Sequence, residues 1–344
     1  MELQNLVSAS TDYAFLKTDS GQIILGRGPF AEAATAPKGG IAFYVNDFDL
    51  SDPLPWKIPA SHEFGPDLES LVSEINGAPK PQIEWEGVQN AGFQTIYEDI
   101  KHDIDTGTLE KSVPVFTERG SLKGGALEAL VHCVEHLPPS FFSYGFRRGA
   151  DGFIGATPEL LFAAHGQRLE TMALAGTTSI DGAAAFQHDE KEIHEHEFVA
   201  KYLISKLSQL GQVRRENRQL LELGSIAHFI SPIHVDLDDD PDFDSLIRLM
   251  HPTPALGPFP RTQGSLAKLR GYRDELEAPL GFGAPFGAFV DGTFHAVVAI
   301  RNVSWSGNDV FLPSGCGVVA ESNFENEWRE LGLKRHAVRD LLGL

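Results

Sequence analysis

Residues 281–320 constrain this chain most. They read GFGAPFGAFVDG, TFHAVVAIRNVSWSG and NDVFLPSGCGVVA, three short apolar runs separated by glycine-bearing turns. Turns this tight join antiparallel neighbours, because a parallel return needs a crossover of a dozen or more residues. Comparable runs occur at 21–28, 39–48, 109–119, 140–148, 152–166, 167–179 and 225–237, each closed by Gly or another turn former. Pro114 within 109–119 suggests an edge strand or a bulge. Helical spacing of apolar residues predicts helices at 68–75, 93–107, 126–137, 189–210, 243–252 and 325–342. Successive hairpins with separate helices predict an α+β fold with antiparallel sheets, not a doubly wound parallel one. No G-x-G-x-x-G motif or P-loop is present, so no nucleotide cofactor is indicated.

At 344 residues and 42% hydrophobic content the chain supports a substantial core. We treat 1–344 as one unit. Its net charge of -20 repels phosphate backbones, so nucleic acid is not expected as a partner. The same charge implies that an anionic substrate needs local cations or a metal ion. Two cysteines, Cys133 and Cys316, give neither a disulfide framework nor zinc spacing, which fits a reducing cytoplasm. The first residues, MELQNLVSASTDYAF, lack a basic start and an apolar stretch, so no secretory leader is expected. No run of 18 apolar residues is present, and no membrane partner is expected.

Two Glu-x-x-Glu pairs stand out, Glu192/Glu195 in EKEIHEHEF and Glu327/Glu330 in ENEWRELGLK. Residues three apart share a helix face, so each pair points two carboxylates one way. Spacing alone favours the plainer reading, two solvated helix faces in an acidic protein. If the helices meet, four carboxylates converge and need a cation or protons, and oxygen-only ligands suit Mg2+. His194 and His196 flank Glu195 but cannot share its face, so HEH is not a zinc signature, and a di-iron Glu-x-x-His motif is also missing.

Other residues carry candidate chemistry. The turn SGCGVV (314–319) offers bare backbone N–H groups, as does LAGTTS (174–179), which adds the Thr177 hydroxyl. Either is also an ordinary turn. Arg301 lies in an apolar run, where its charge needs a partner: a substrate carboxylate or a structural acid. Lys111 is either an exposed strand-start lysine or, if burial lowers its pKa, a base.

In order along the chain, GATPELL (155–161), LETMALAGT (169–177), EKEIHEHEFV (190–199), HFISP (228–232), HPTPALGPFPR (251–261), AIRN (299–302), GCGVVAES (315–322) and EWRELGLK (327–334) resemble the chorismate-utilising enzymes. That family includes anthranilate synthase component I, aminodeoxychorismate synthase, isochorismate synthase and salicylate synthase. The resemblance covers roughly 95–344, while residues 1–90 diverge. It implies large antiparallel sheets packed together with helices outside. HPTPALGPFPR resembles the isochorismate synthase version of its segment. Ala175 stands where one type of aminodeoxychorismate synthase has a nucleophilic lysine, and Lys111 where anthranilate synthases usually have glutamine. Cys316 replaces a usual alanine.

The resemblance implies the following roles. Lys111 removes a proton from water, which attacks C2 of chorismate. Glu159 protonates the departing C4 hydroxyl. Mg2+ on Glu195 and Glu330, supported by Glu192 and Glu327, binds the ring carboxylate. Arg301 with Gly315 and Gly317 holds the enolpyruvyl carboxylate, and Lys334 lies near the metal-bound one. Ala175, Gly176, Thr177 and His228 contact the ring. The expectation is a cytoplasmic isomerase making isochorismate for menaquinone, siderophores or salicylate, monomeric or weakly dimeric and without a glutaminase subunit. Alternatives are a salicylate synthase, which adds pyruvate elimination, a non-catalytic chorismate-binding homologue, and an ammonia-dependent anthranilate synthase.

Overall fold

The structure, a computed structural model, describes residues 12–75 and 77–344. The leader reading rested mainly on residues 1–11, which lie outside the described part.

Two antiparallel sheets form the body. The first runs, in spatial order, Ser61–Gly65, Ile23–Arg27, Tyr13–Lys17, Phe142–Arg148, Asp151–Thr157, Asn302–Ser306, Asp309–Gly315, Val115–Gly124 and Gln82–Trp85. The second runs Gly211–Arg215, Ile226–Leu237, Arg168–Ser179, Leu160–His165, Thr293–Val298, Pro285–Val290, Ile41–Val45, Trp56–Ile58 and Ala31–Ala33, and Gln219–Leu223 also pairs with Ile226–Leu237. Residues before 90 thus supply strands to both sheets.

The period-2 geometry of a strand sorts neighbouring side chains into different cores. Ala14, Leu16, Phe142 and Tyr144 of the first sheet meet Ile41, Phe43, Phe286, Ala288 and Val297 of the second in a core between the sheets. Tyr13, Phe15, Ile154 and Val303 face outward beneath Leu127–Leu130, Val131–Val134 and the end of the C-terminal helix. Ala42, Phe162, Phe289, Phe294 and Ala296 face outward beneath the remaining long helices. Both faces of each sheet are therefore covered, which is why the strands read as continuous apolar runs rather than as alternation.

Several sequence expectations change. The run 152–166 is two strands in different sheets, Asp151–Thr157 and Leu160–His165, and 293–307 likewise splits into Thr293–Val298 and Asn302–Ser306. The ladder in 109–119 begins only at Val115 and lies between two neighbours, so Pro114 sits ahead of the strand and makes neither an edge nor a bulge. Segment 126–137 forms a 3-10 turn, Leu127–Leu130, and one helical turn, Val131–Val134, instead of a longer helix. Its core contacts, Leu127, Leu130, Val131 and Val134, need no more than that.

The two splits position the site. The chain leaves the first sheet after Thr157 and enters the second at Leu160, with Pro158 and Glu159 between. It returns after Val298 and re-enters at Asn302, with Arg301 as the last connecting residue. The crossings run side by side: Val298 N donates to Glu159 O at 3.0 Å and Ala156 N to Arg301 O at 3.2 Å. Among the described residues no helix is long and apolar enough to cross a membrane.

Candidate active site

Both acidic pairs begin well-capped helices. Asp189 accepts from Glu192 N at the start of Glu190–Leu207, and Asn323 accepts from Glu325 N at the start of Phe324–Leu342. The first helix packs Val199, Ala200, Leu203 and Leu207 on the second sheet. The second buries Glu327, Leu331, Arg335, Val338 and Leu342 in one stripe against the first sheet. The stripe puts the Glu327 carboxylate at 1% exposure, with Oε1 lacking a hydrogen-bond partner.

The helices do bring the pairs together. Lys191 Nζ lies 3.4 Å from Glu192 Oε1 and 3.7 Å from Glu327 Oε1. Burial, then the nearby Glu195, pushes Glu192 up to about 7. Burial, then Glu330, raises Glu327. Burial also works on Glu195, but the charge and hydrogen bond of Lys111 at 2.8 Å hold it below the ordinary carboxylate value. Lys334 Nζ lies 2.5 Å from Glu330 Oε1 and donates to Gly315 O at 2.9 Å.

Among the described residues no three acidic, imidazole or thiol groups stand close enough to hold a metal ion alone. The donor chemistry nevertheless fits Mg2+, which binds through one or two carboxylates and completes its shell with water or substrate. The orphaned, buried Glu327 oxygen supports the same fit.

Lys111 is pinned from two sides. Its backbone exchanges hydrogen bonds with Phe259 at 3.2 and 2.8 Å, and Ser112 does so with Val318 at 3.1 and 2.8 Å. HPTPALGPFPR and GCGVVAES therefore converge on this one lysine. A Cβ at Gly317 would stand 2.8 Å from Lys111 Cε and 2.9 Å from Glu195 Oε1, so a larger residue there would displace the ends of both side chains.

Glu159 occupies the first crossing, 5% exposed, with Thr253 Oγ1 donating to Oε1 at 3.2 Å. Burial pushes it up to about 7, against the opposing pull of Thr253, Lys111, Lys334 and Arg301. Arg301 ends the second crossing with φ 57, a left-handed conformation that costs a non-glycine residue about 1 kcal/mol or more. Its surroundings hold it there: Tyr144 OH donates to Ile300 O at 2.8 Å, and Asn302 Nδ2 to Ala299 O at 3.1 Å. Arg301 has no carboxylate within ion-pair distance among the described residues. Burial pulls its guanidinium down to about 10, so it keeps its charge near neutral pH.

His228 joins the two halves of the site. Nδ1 lies 2.7 Å from Gly176 O, and Nε2 lies 3.1 Å from Arg301 Nη2. A guanidinium only donates, so Nε2 accepts and Nδ1 carries the proton to Gly176 O. Burial, then Arg301, pushes His228 down to about 3, which keeps it neutral. Gly176 has φ +76 and sits in the irregular pairing between Ala175 and Thr178, where Thr177 N donates to Glu192 Oε2 at 3.2 Å.

Eleven of the fourteen residues expected from the sequence line one cleft: Glu159, Ala175, Gly176, Thr177, Glu195, His228, Arg301, Gly315, Gly317, Glu330 and Lys334. Lys111, Glu192 and Glu327 lie behind this wall. Lys111 shares an adjoining cavity with Lys191, and Glu195 borders both spaces. Sequence reading missed two participants. Thr253 lies in a quoted motif but gave no signal beyond a hydroxyl between prolines. Lys191 lies inside EKE, where the carboxylates drew attention instead.

Residues 68–343 match the family described as chorismate binding enzyme, and the chain belongs to that family. Among its relatives, the salicylate biosynthesis isochorismate synthase of Pseudomonas aeruginosa is 32% identical over 225 residues, or 61% of this chain and 45% of that protein. Anthranilate synthase component 1 of Geobacillus stearothermophilus is 30% identical over 270 residues, or 72% of this chain and 50% of that protein. The chain thus spans about half the length of the curated relatives it matches. The solved structure of MenF, the menaquinone-specific isochorismate synthase of Escherichia coli, superposes with a TM-score of 0.76 at 20% identity, covering 96% of this chain and 88% of that one. It shares the two-sheet fold. The family match also begins nearer the N-terminus than the sequence motifs do.

Proposed function

We propose that this protein isomerises chorismate to isochorismate in the cleft between its sheets, in the cytoplasm and with Mg2+ as its metal ion. The observation that carries this reading is the buried Glu159, whose burial raises its pKa to about 7 in a cleft that also presents Arg301, Lys334 and the backbone of Gly315 and Gly317. An acid in that state suits protonation of a departing hydroxyl.

Arg301 and the backbone at Gly315 and Gly317 hold the enolpyruvyl carboxylate, and among the described residues no carboxylate competes for the guanidinium as an ion pair. His228, neutral and fixed in one tautomer, orients Arg301 and the Gly176 turn beside the ring. Lys111, once its ammonium has lost a proton to solvent, takes a proton from water at Nζ as the new C2–O bond forms. Glu159 gives its proton to the C4 oxygen as that bond breaks, and proton exchange with solvent then restores both groups. Water enters and leaves, so the sum is an isomerisation. Glu195 and Glu330, with Glu192 and Glu327 behind them, would hold Mg2+ beside the ring carboxylate. A bound ion would supply positive charge there, and Glu195 shared with it would hold the Lys111 ammonium less strongly. Lys334 steadies Glu330 and Gly315 together.

Replacing Lys111 with Ala or Glu159 with Gln tests the assignment. Each change removes a proton-transfer group and is expected to lower kcat roughly 10²- to 10⁴-fold while chorismate still binds. Near-wild-type turnover in either variant would overturn its role.

A further inference from the structure

The mechanism above leaves one ammonium of the site without a task. Lys111 faces Glu195 and Lys334 faces Glu330, each at the short distance of a charge-assisted hydrogen bond. Lys191 instead stands between two carboxylates from different helices, 3.4 Å from Glu192 Oε1 and 3.7 Å from Glu327 Oε1. Both separations exceed a charge-assisted hydrogen bond, so the attraction acts through space. Glu327 Oε1 accordingly remains without a hydrogen-bond partner although it is buried. The Lys191 side chain is one-third exposed, and its flexible stem lets the ammonium move into solvent.

The charges give this placement a meaning. The two acidic pairs hold four carboxylates, and Lys111, Lys191 and Lys334 supply three ammonium groups, leaving a single negative charge. Even without a divalent ion the cluster is nearly balanced. A dication added alone, with Lys191 in place, would make it positive and set a second cation beside the carboxylates that Lys191 faces. A dianionic substrate arriving with the dication restores the original balance.

We propose that Lys191 is a resident counter-ion which holds Glu192 and Glu327 until a divalent cation and an anionic substrate arrive together. It makes metal loading depend on substrate and keeps the free protein from binding the cation tightly. This inference rests on the Mg2+ reading above.

Calorimetric titration of the full chain with Mg2+ tests it, using wild type, Lys191→Met, Lys191→Gln and Lys191→Arg. Without chorismate, both neutral variants are expected to bind Mg2+ at least about tenfold more tightly than wild type, because one nearby positive charge is gone. Lys191→Arg keeps the charge and is expected to stay within a few-fold of wild type. Thermal unfolding in EDTA reads the other side: the neutral variants melt below wild type and recover on adding Mg2+. Neutral variants that bind Mg2+ no more tightly than wild type, or Lys191→Arg binding as tightly as Lys191→Met, would overturn the proposal and leave the metal reading standing. Absence of Mg2+ binding in every protein, with chorismate as without it, would overturn both.

Discussion

Glu159 lies in the two-residue connection between sheets, a position no other described acid shares. There burial raises its pKa from 4.5 to about 7, and among the described residues the Thr253 hydroxyl alone offers its carboxyl a side-chain hydrogen bond. Such a shift is also a statement about stability. The folded state binds this proton more tightly than the unfolded state, so the contribution is fully present below about pH 4.5 and is lost as pH rises to about 7. Comparing wild type with Glu159→Gln by urea unfolding isolates the effect. The variant is expected to gain about 3 kcal/mol on wild type between those pH values. A difference independent of pH would show that Glu159 ionises freely in the fold. At this scale the sequence was legible where a motif carried chemistry, as with Glu159, His228 and Arg301. It was silent on Thr253 and Lys191, because a hydroxyl or an ammonium acquires its role only from what the fold sets beside it.

At the scale of elements, the acidic helices were readable from their spacing, while their caps, Asp189 and Asn323, came to light only in the structure. The Gln263–Glu275 helix was not readable. Its face is largely polar and the chain around it is rich in proline and glycine, although Thr262 and Ser265 form a reciprocal capping box. The crossings were missed for a different reason. Both splits fall inside runs that read as single strands, and Pro158-Glu159 and Arg301, which interrupt them, do not tell a bend from a change of sheet. Yet those crossings place Glu159 and Arg301 side by side. The turn after Asp309–Gly315 is equally decisive, since Gly317 lets Lys111 and Glu195 meet. Gly317→Ala forces a methyl group against both. We expect a folded protein with kcat lowered about a hundredfold, the scale of a misplacement near 1 Å. Unchanged steady-state kinetics would show that the pair has room to give and that the close approach is incidental.

On the scale of the whole molecule, the two sheets and the outer helices were legible as an antiparallel α+β body, and the strongly acidic chain pointed to local cations. What the sequence could not show was the arrangement of that charge. Within a protein of net charge -20, Arg301 and Lys334 line one cleft together with Glu195 and Glu330, while Lys111, Glu192 and Glu327 stand behind its wall. On the proposed reading the cationic groups face the anionic substrate and the carboxylates face the dication. The central claim is that water adds at C2 while the C4 hydroxyl leaves, and isotope labelling tests it most directly. The full chain incubated with chorismate and Mg2+ in 18O-labelled water, then resolved by mass spectrometry, is predicted to yield isochorismate carrying one 18O at C2. Unlabelled isochorismate, salicylate with pyruvate as the main product, anthranilate formed only on adding ammonium, or no turnover at all would contradict it.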